Sequence, residues 1–502
     1  MNSAKVAKKP RDKSRHGLSK SRLMAYRQCP KRLWLETYRA ELADESGAQA
    51  VFAFGHEVGE VARGLHPGGH LIEDADLGEA LAETERCLAE RPRKPLFEAT
   101  FNVRGTLVRA DLLLPARMGY RLVEVKAATS VKPHYYGDVA IQAWVMENAG
   151  LPLCGLELAH VNSTFVYPGG GKYKGLLTYE DVAAETKPLL KEVPRWVEDA
   201  HKTLAGSEPD IPIGPQCKDP HPCSFLRYCS SGLAEVPYPL TDLHRGGKLI
   251  TELAAKGYSD LSKVPAKLLT KPRHRMIHHA VNTGEVMVDP AAARILTRYT
   301  WPRRYLDFET IQFAVPIWAG TRPYQQIPFQ WSCHIETRSG EIEHCGFLSE
   351  GDGDPRRAFA ESLLGVLGSD GPIFVFNVSF ERGRTAELAE TFPDLAPALE
   401  AALARFVDLQ PIVRDHYYHR DQHGSWSLKA VLPTIAPDLD YAELEISEGG
   451  MASDAFRALL DPAIEAAEAE RLRAALREYC ARDTLGLVHI ARFLQQEGRC
   501  NA

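Results

Sequence analysis

The pattern of hydrophobic and polar residues first becomes regular at Ser19. Hydrophobic residues, including Leu23 and Trp34, then recur at helical spacing, and Pro30 interrupts the pattern between them. Because Cys29 directly precedes this proline, the sequence predicts that the cysteine lies at a break between two helical segments.

Two hydrophobic segments farther along the first half predict strands. They cover Gly105 to Leu114 and Tyr120 to Val125. A short turn containing Pro115 and Gly119 is expected to separate them. A helical pattern follows from Tyr136 to Asn148, so this half of the chain mixes strands with helices.

The pattern changes after Tyr238. Residues 238–300 predict short helices punctuated by glycine and proline, which is typical of a small helical connector. A strand is predicted to begin at Tyr305, a second strand covers Ile373 to Phe376, and a long helix runs from about Pro462 to Gln496. Strands mixed with helices in both halves predict the α/β fold class for each.

Length, composition and charge limit the classes of protein to which this chain can belong. With 502 residues the chain is too long for one hydrophobic core, so two or three domains are expected. No hydrophobic run predicts a membrane span or a secretory signal, and we therefore expect a cytoplasmic protein with no membrane partner.

The net charge of -6 gives no overall attraction to nucleic acid, so phosphate binding would depend on local basic groups. Residues 1–17 are typical of a disordered basic tail, either without a role or in weak contact with phosphate.

The ten cysteines are expected to be ligands where they cluster and core residues where they are scattered, because a reducing compartment disfavours disulfides. Cys217, Cys223 and Cys229 are evenly spaced in a proline-rich segment, and Cys29 lies far upstream. Cysteine thiolates suit both an iron-sulfur cluster and a structural zinc ion. The scattered class consists of Cys87, Cys154, Cys333, Cys345, Cys480 and Cys500.

The candidate chemistry of the first half lies on the two predicted strands. Asp111 falls on the first and Glu124 near the end of the second, and carboxylate oxygens are ligands that Mg²⁺ and Mn²⁺ prefer. Since side chains alternate along a strand, Glu124 and Lys126 should share one face and Val125 should face the core. An ammonium at Lys126 is then placed to orient a water molecule or hold a phosphate. A solvent-facing ion pair on an edge strand would have the same sequence.

Residues 18–235 resemble the RecB-type branch of the PD-(D/E)XK nucleases, especially the iron-sulfur group that includes the CRISPR-associated RecB-like nucleases and the AddB nuclease domain. The matching residues are Ser19 to Lys31, Gly105 to Asp111, Glu124 to Lys126, Gln142, Cys217, Cys223 and Cys229. The resemblance implies a restriction-endonuclease-like domain with Asp111 and Glu124 as ligands of Mg²⁺ or Mn²⁺ and Lys126 as a catalytic residue. It also implies that Cys29 and the three later cysteines hold a 4Fe-4S cluster, with a structural zinc ion as the alternative.

Two positions depart from the pattern of that family. Gln142 matches a catalytic glutamine, but Met146 stands where the family often has tyrosine, so only the glutamine is assigned. The histidine that the family has upstream aligns with Gly59. Glu60 is the expected replacement as a metal ligand, and His56 is a lesser candidate.

A second acidic set lies in the C-terminal half. Asp307 and Glu309 share one face of a predicted strand, and Tyr479 and Asp483 lie one turn apart on the predicted long helix. Glu381 follows a buried strand in a polar turn. Three separate elements would thus bring acids to one pair of metal ions. Each acid by itself is more typical of a strand end or an ordinary ion pair, and only the occurrence of the whole set in this order favours a metal site.

The order of these residues resembles the DEDD exonucleases of the ribonuclease H-like fold, in their tyrosine-bearing class. Asp307, Glu309 and Asp483 match acidic motif positions, and Tyr479 matches the residue that orients the attacking water. Glu381 stands where the family has aspartate, a longer side chain that still reaches a metal ion. The resemblance implies Mg²⁺ or Mn²⁺ at the three matched acids, with Tyr479 and Glu381 in the catalytic set.

The segment from Asp415 to Lys429 interleaves aromatic, histidine and basic residues. Such a mixture suits base stacking with phosphate contacts, and it equally suits a packed polar loop. A zinc site at His416, His419 and His423 is not expected, because these residues lack cysteine partners.

These observations predict a metal-dependent nuclease that hydrolyses phosphodiester bonds. The resemblances imply an exonuclease that acts on DNA in preference to RNA, at ends or in single strands, and a setting in repair, recombination or defence. We expect a first nuclease domain over 18–237, the connector over 238–300 and a second nuclease domain over 301–502. The alternatives are a nucleic-acid-binding scaffold with a degenerate second site and an RNA-processing exonuclease. The sequence does not indicate protein partners.

Overall fold

The protein is described by a computed structural model that covers residues 17–44, 48–73, 76–232 and 236–500. It is a mixed α/β structure whose chain divides into two compact units. The first unit comprises Met1–Leu233 and Phe313–Tyr324, and the second comprises Ala234–Gln312 and Gln325–Ala502. The predicted connector therefore belongs to the second unit. Apart from Gly17, the predicted basic tail lies outside the described residues.

The first unit is built on a seven-stranded mixed sheet. Its strands are β1 (Leu18–Ser19), β2 (His70–Leu71), β3 (Leu96–Val103), β4 (Thr106–Ala116), β5 (Gly119–Lys126), β6 (Leu153–Val161) and β7 (Leu177–Asp181). Strands β2 to β7 lie side by side in sequence order, and β1 pairs with the beginning of β4. The pairs β1–β4, β2–β3 and β5–β6 are parallel, whereas the other neighbours are antiparallel.

Helices cover this sheet. They are α1 (Lys20–Gln28), α2 (Pro30–Tyr38), α3 (Ala48–Gly64), α4 (Leu77–Ala89), α5 (Tyr135–Asn148), α6 (Ala183–Leu190), α7 (Val193–Ala205) and α8 (Leu226–Ser230). Helix α5 is buried along most of its length, because it is hydrophobic on nearly every side. The predicted break at Cys29 is confirmed, since this residue lies between Gln28, the last residue of α1, and Pro30, the first residue of α2.

Hydrophobic cores lie on both faces of the central strands. Leu113 and Leu122 pack in one core, and Leu112 and Val123 pack in the other. Successive strand residues point to opposite faces, so this division follows from the sequence alternation. The strands that carry the candidate acids are therefore shielded from water on both sides.

The second unit is built on a five-stranded mixed sheet with a separate two-stranded ribbon. Its strands are β8 (Met287–Val288), β9 (Arg303–Ile311), β10 (Ile327–Glu336), β11 (Ile342–Leu348), β12 (Ile373–Val375), β13 (Phe406–Asp408) and β14 (Tyr417–Tyr418). The order is β11-β10-β9-β12-β13, and β8 pairs with β14. Strand β9 is antiparallel to β10 and parallel to β12.

The helices of the second unit include the long helix predicted at the C-terminal end of the sequence. They are α9 (Gly247–Ala255), α10 (Pro272–Thr283), α11 (Ala291–Leu296), α12 (Arg356–Leu367), α13 (Ser379–Thr391), α14 (Ala396–Leu403), α15 (Leu409–His416), α16 (Leu428–Ile435), α17 (Gly449–Leu459) and α18 (Ala466–Cys500). None of the helices in the described ranges is long and apolar enough to span a membrane.

The two faces of the second sheet differ in character. Leu306 and Phe308 of β9 belong to a hydrophobic core on one face. The other face of the sheet carries polar groups that bond to α18, including the Gln330 amide, whose Nε2 donates to the Leu476 carbonyl oxygen at 2.7 Å. The alternating residues of β9 therefore place its two acids on the polar face, as predicted.

Two predicted details were wrong. The turn between the central strands of the first unit is shorter than predicted, since Pro115 lies within β4 opposite Tyr120 and Gly119 begins β5. Glu381 lies in the first turn of α13 and not in an open turn. The reason is that Asn377 takes a left-handed backbone conformation, φ 73°, which lets the chain turn directly from β12 into the helix.

A buried histidine, His334, gives the second unit a pH dependence. Burial, followed by the charges of His344 and His489, lowers the pKa of His334 from its ordinary 6.5 to about 4. Its Nδ1 lies 2.8 Å from the Thr484 hydroxyl oxygen. The folded protein thus favours the neutral imidazole, and this contribution to stability is complete above the unfolded-state pKa and is lost as the pH falls through the folded-state pKa.

We expect the free energy of unfolding to decrease by up to ~3 kcal/mol from this group as the pH falls from 6.5 to about 4. Chemical denaturation at a series of pH values measures the effect. The variant His334→Gln should lose that part of the pH dependence, and equal pH dependence in both proteins would contradict the assignment.

Candidate functional site

Two carboxylates meet at the centre of the first unit. Asp111 lies on β4 and Glu124 on the adjacent β5. The Val125 backbone N–H donates to Asp111 Oδ2 at 2.7 Å, which ties the first acid to the strand of the second. Burial, followed by the charge of Glu124, raises the pKa of Asp111 to about 7. The two acids are therefore close enough to oppose each other's ionisation.

Glu124 is the most heavily bonded of these acids. Its Oε1 accepts hydrogen bonds from Lys20 Nζ at 2.7 Å and from Lys126 Nζ at 2.8 Å, and its Oε2 accepts one from the Gln142 amide. Glu124 is 1% exposed, and burial by itself would raise the pKa of its carboxyl group. The ammonium groups of Lys126 and Lys20 outweigh burial and hold the pKa of Glu124 below its ordinary range. The predicted placement of Glu124 and Lys126 on one strand face is confirmed.

Helix α5 supplies two further groups. Gln142 is fully buried, and its Oε1 has no hydrogen-bond partner among the described residues. Asp138, one turn earlier, accepts from Lys126 Nζ at 2.6 Å. Sequence reasoning missed Asp138 and Lys20. The four-residue spacing between Asp138 and Gln142 was an available signal for the first, because such residues share a helix face.

A cavity opens beside Asp111. Its lining includes His56, Arg63 and Glu98. Glu98 has a φ of 55°, a left-handed conformation that is uncommon outside glycine, and it is one of the residues that line this cavity. Glu60 is not among the residues that line it. The Glu60 side chain is 60% exposed and pairs with His56 at 3.3 Å, so the structure does not bring this predicted ligand to Asp111.

The four clustered cysteines line a second cavity of the first unit. Cys29, Cys217, Cys223 and Cys229 all contribute to its wall. The Cys223 backbone N–H donates to the Cys217 carbonyl oxygen at 2.9 Å, which folds the later cysteines into one loop. Among the residues that the structure describes, no three of these sulfurs lie within 4.8 Å of one another. The cysteines therefore face a common space without forming a tight mononuclear arrangement.

Acids also cluster in the second unit. Asp307, Glu309 and the thiol of Cys480 each place one ligand atom within 4.8 Å of the others. Burial, followed by the charge of Asp483, raises the pKa of both Asp307 and Glu309 well above their ordinary values. Burial likewise raises the pKa of Cys480, so its sulfur remains a protonated thiol. Buried acids of like charge are typical of a cation site.

Helix α18 brings Asp483 and Tyr479 to this cluster. Burial raises the pKa of Asp483 to about 6, against hydrogen bonds from Tyr441 and Tyr479 and the charge of Lys429. The Tyr441 hydroxyl donates to Asp483 Oδ1 at 2.5 Å. Lys429 Nζ lies 5.2 Å from the ring centre of Tyr479. Sequence reasoning did not assign Tyr441, Lys429 or Cys480 to the site, and Tyr441 has no motif that would have indicated it.

Glu381 is buried close to the same acids. Its charge contributes to the raised pKa of Asp307 and of Glu309. Burial, followed by the charge of Asp408, raises the pKa of Glu381 itself to about 8. Its Oε2 is a buried oxygen with no hydrogen-bond partner among the described residues. Such an oxygen is suited to accept a cation or a polar ligand.

One part of the second unit matches a family model. Residues 304–427 match the model of DUF2779, a family described as a domain of unknown function. The match includes Asp307, Glu309 and Glu381 and ends before Tyr479 and Asp483. No curated protein and no solved structure matches the chain. The description of this family names no activity.

The histidines of the segment from Asp415 to Lys429 do not converge. His416 Nδ1 lies 3.2 Å from Asp289 Oδ2, and His423 Nδ1 lies 3.1 Å from Asp242 Oδ2. His419 accepts from a backbone N–H in its own turn. Each of the three histidines therefore has its own partner.

Proposed function

We propose that the protein is a metal-dependent nuclease that hydrolyses phosphodiester bonds of nucleic acid, with a candidate centre in each unit. The main support is that each unit holds carboxylates of like charge beside one another and beside a lysine, in surroundings largely shielded from water. Burying such a set costs stability, and a cation that binds the carboxylates offsets that cost. DNA is favoured over RNA by the resemblance to RecB-type nucleases.

In the first unit, Asp111 and Glu124 would hold Mg²⁺ or Mn²⁺ through their oxygens. The bound ion would neutralise charge on the phosphoryl oxygens and lower the pKa of a water molecule. Gln142 fixes the orientation of Glu124, and Asp138 holds Lys126 next to it. The Lys126 ammonium is thereby placed to hold a phosphate or the attacking water.

In the second unit, Asp307, Glu309 and Asp483 would hold the metal ions. Tyr479 is placed to orient a water molecule, because it lies one helical turn from Asp483 and bonds to it. Glu381 offers its unpartnered Oε2 as a further oxygen ligand. The thiol of Cys480 is a soft donor and is not expected to bind Mg²⁺.

The folds we propose for the units follow the same resemblances. The first unit is proposed to be restriction-endonuclease-like, which the antiparallel strands β3, β4 and β5, the parallel β6 and the helix α5 between β5 and β6 support. The second is proposed to be ribonuclease H-like, which its strand order with a parallel β9–β12–β13 portion supports.

We further propose that the four cysteines bind a 4Fe-4S cluster. The four cysteines line one cavity of the first unit, which supports a metal group shared by all four. Thiolates suit both an iron-sulfur cluster and a zinc ion, and the resemblance to the iron-sulfur RecB-type nucleases favours the cluster. Thiolate ligands from two distant parts of the sequence would then join the beginning and the end of the first unit.

Removal of a cluster ligand is expected to remove the iron. Protein purified without oxygen should be brown, with broad absorbance near about 400 nm, and Cys29→Ser should lose most of that colour and iron. Cys154→Ser is the matched control, because Cys154 lies on β6 away from the cavity and should keep both. A colourless wild-type protein with one zinc ion per chain would establish the structural alternative.

Hydrolysis of labelled oligonucleotides tests the nuclease proposal. Wild-type protein with Mg²⁺ or Mn²⁺ should cleave single- or double-stranded DNA, and a chelator should stop cleavage. Lys126→Ala and Asp483→Ala should each reduce it. Matched RNA in competition separates an RNA-processing enzyme from a deoxyribonuclease. DNA binding without any metal-dependent cleavage would favour the scaffold alternative.

A further inference from the structure

Lys20 occupies a fixed position in the first unit. It is the first residue of α1, and the Ser19 side chain before it caps that helix by accepting from the Arg22 N–H at 3.2 Å. The preceding Leu18 is fully buried, and its backbone N–H donates to the Gly105 carbonyl oxygen at 2.9 Å. Strand pairing on one side and helix capping on the other therefore set where the Lys20 side chain begins.

The Lys20 ammonium shares an acceptor with the ammonium of Lys126. Both donate to Glu124 Oε1, at 2.7 Å and 2.8 Å. Lys126 has a second acid, Asp138, at 2.6 Å. Among the residues that the structure describes, Glu124 is the one ion-pair partner of Lys20. Lys20 is thus the less firmly held of the two ammonium groups.

The balance of charge in this site indicates what the Lys20 ammonium can bind. Three carboxylates, Asp111, Glu124 and Asp138, face two ammonium groups, and the Lys20 side chain is only 19% exposed. A divalent cation at Glu124 would repel both ammonium groups. If Lys20 is displaced from Glu124, its ammonium can pair only with an anion that its side chain can reach. A nucleic-acid phosphate bound at this site is such an anion.

We infer that Lys20 is a second phosphate-binding ammonium of this site, held against Glu124 in the free protein and in competition there with a divalent cation. The inference rests on the proposed function, since it takes the phosphate to be that of the nucleic acid. Lys20 neutralises Glu124 before substrate binds, and it contacts the phosphate backbone afterwards.

Hydrogen bonds at the far end of α1 hold this helix, and therefore Lys20, in place. Gln28, its last residue, donates from Nε2 to the Gln216 and His221 carbonyl oxygens, at 2.8 Å and 2.7 Å. Both acceptors belong to the loop of the later cysteines. Nine helical residues span about 13 Å, so α1 is a short rigid link between the cysteine cavity and Lys20.

The test compares Lys20→Met with Lys20→Arg, and uses Lys202→Met as the charge-matched control. Lys202 lies on α7, is 66% exposed and pairs with Glu198. The affinity of each full-length protein for Mn²⁺ is measured by calorimetry without substrate. Affinity for a DNA oligonucleotide is measured by fluorescence anisotropy with Ca²⁺, an oxygen-binding cation used here in place of Mg²⁺ and Mn²⁺. Thermal melting confirms that each variant is folded.

Lys20→Met should bind Mn²⁺ several-fold more tightly, because one competing positive charge is gone, and should bind DNA about tenfold more weakly. Lys20→Arg should restore DNA binding, and Lys202→Met should match the wild type. A merely structural role predicts weaker Mn²⁺ binding in Lys20→Met, and that result, or behaviour equal to the control, would overturn the inference. If the wild type cleaves nothing while these binding shifts are observed, the nuclease proposal fails and the assignment of Lys20 stands.

Discussion

Glu124→Gln is expected to reduce hydrolysis by the first unit about 10³-fold and to destabilise the fold by about 3 kcal/mol. The amide keeps the size of the side chain but removes the charge that Lys20 and Lys126 share. Two ammonium groups would then face each other without their common counter-ion, in a site where Glu124 itself is 1% exposed. Catalysis is expected to fall because a proposed metal ligand is lost. Stability falls because the Lys20 ammonium loses its ion-pair partner, while Lys126 keeps only Asp138.

Hydrolysis is measured in an Asp483→Ala background, so that the remaining cleavage comes from the first unit, and stability is measured by chemical denaturation. Glu157→Gln is the matched control in the same sheet. Its partner Arg121 is 43% exposed, so breaking this pair should cost at most about 1 kcal/mol and leave hydrolysis unchanged. Equal stability losses in the two variants would show that Glu124 is not the buried counter-ion described above.

Asp307→Asn is expected to have the opposite effect on stability. In a chelator it should raise the free energy of unfolding by about 2 kcal/mol, because the half-buried Asp307 carboxylate lies among the like charges of Asp483, Glu309 and Glu381. Hydrolysis by the second unit should fall at least 10²-fold, which is about the loss of rate when an enzyme loses one group that stabilises charge in the transition state. A residue that lowers the stability of the fold while supporting activity is typical of a functional site.

Thermal melting with and without Mn²⁺ measures the stability effect, and hydrolysis is followed in a Lys126→Ala background. Mn²⁺ should stabilise the wild type, since a ligand bound only to the folded state shifts the equilibrium toward it, and should stabilise Asp307→Asn less. Asp421→Asn is a suitable control, because that acid is 63% exposed. A variant at Asp307 that is less stable than the wild type in chelator would contradict the proposed repulsion.

Sequence periodicity predicted the elements that carry the acids. The strands with Asp111, Glu124 and Asp307 and the helix with Asp483 lie where the hydrophobic pattern placed them, because each has a buried face with a regular period. Alternation along β5 also predicted correctly that Glu124 and Lys126 share a face.

Other parts of the sites could not be predicted, for definite physical reasons. Lys20 reaches Glu124 across 104 positions of sequence, through a strand pairing of only two residues that has no recognisable pattern. Tyr441 precedes Asp483 by 42 positions and lies outside any regular element. Glu60 has the expected spacing on α3, but the helix turns its side chain toward solvent while His56 and Gly59 line the cavity. Spacing along a helix does not fix which face meets a neighbouring strand.

We propose that carboxylates distant in sequence hold divalent cations at two places in this protein. Anomalous X-ray diffraction from crystals soaked in Mn²⁺ would show such cations directly. We expect one set of Mn²⁺ peaks between Asp111 and Glu124 and a second between Asp307, Glu309 and Asp483. Well-ordered crystals with the same side-chain positions and no Mn²⁺ peak at either place would contradict it.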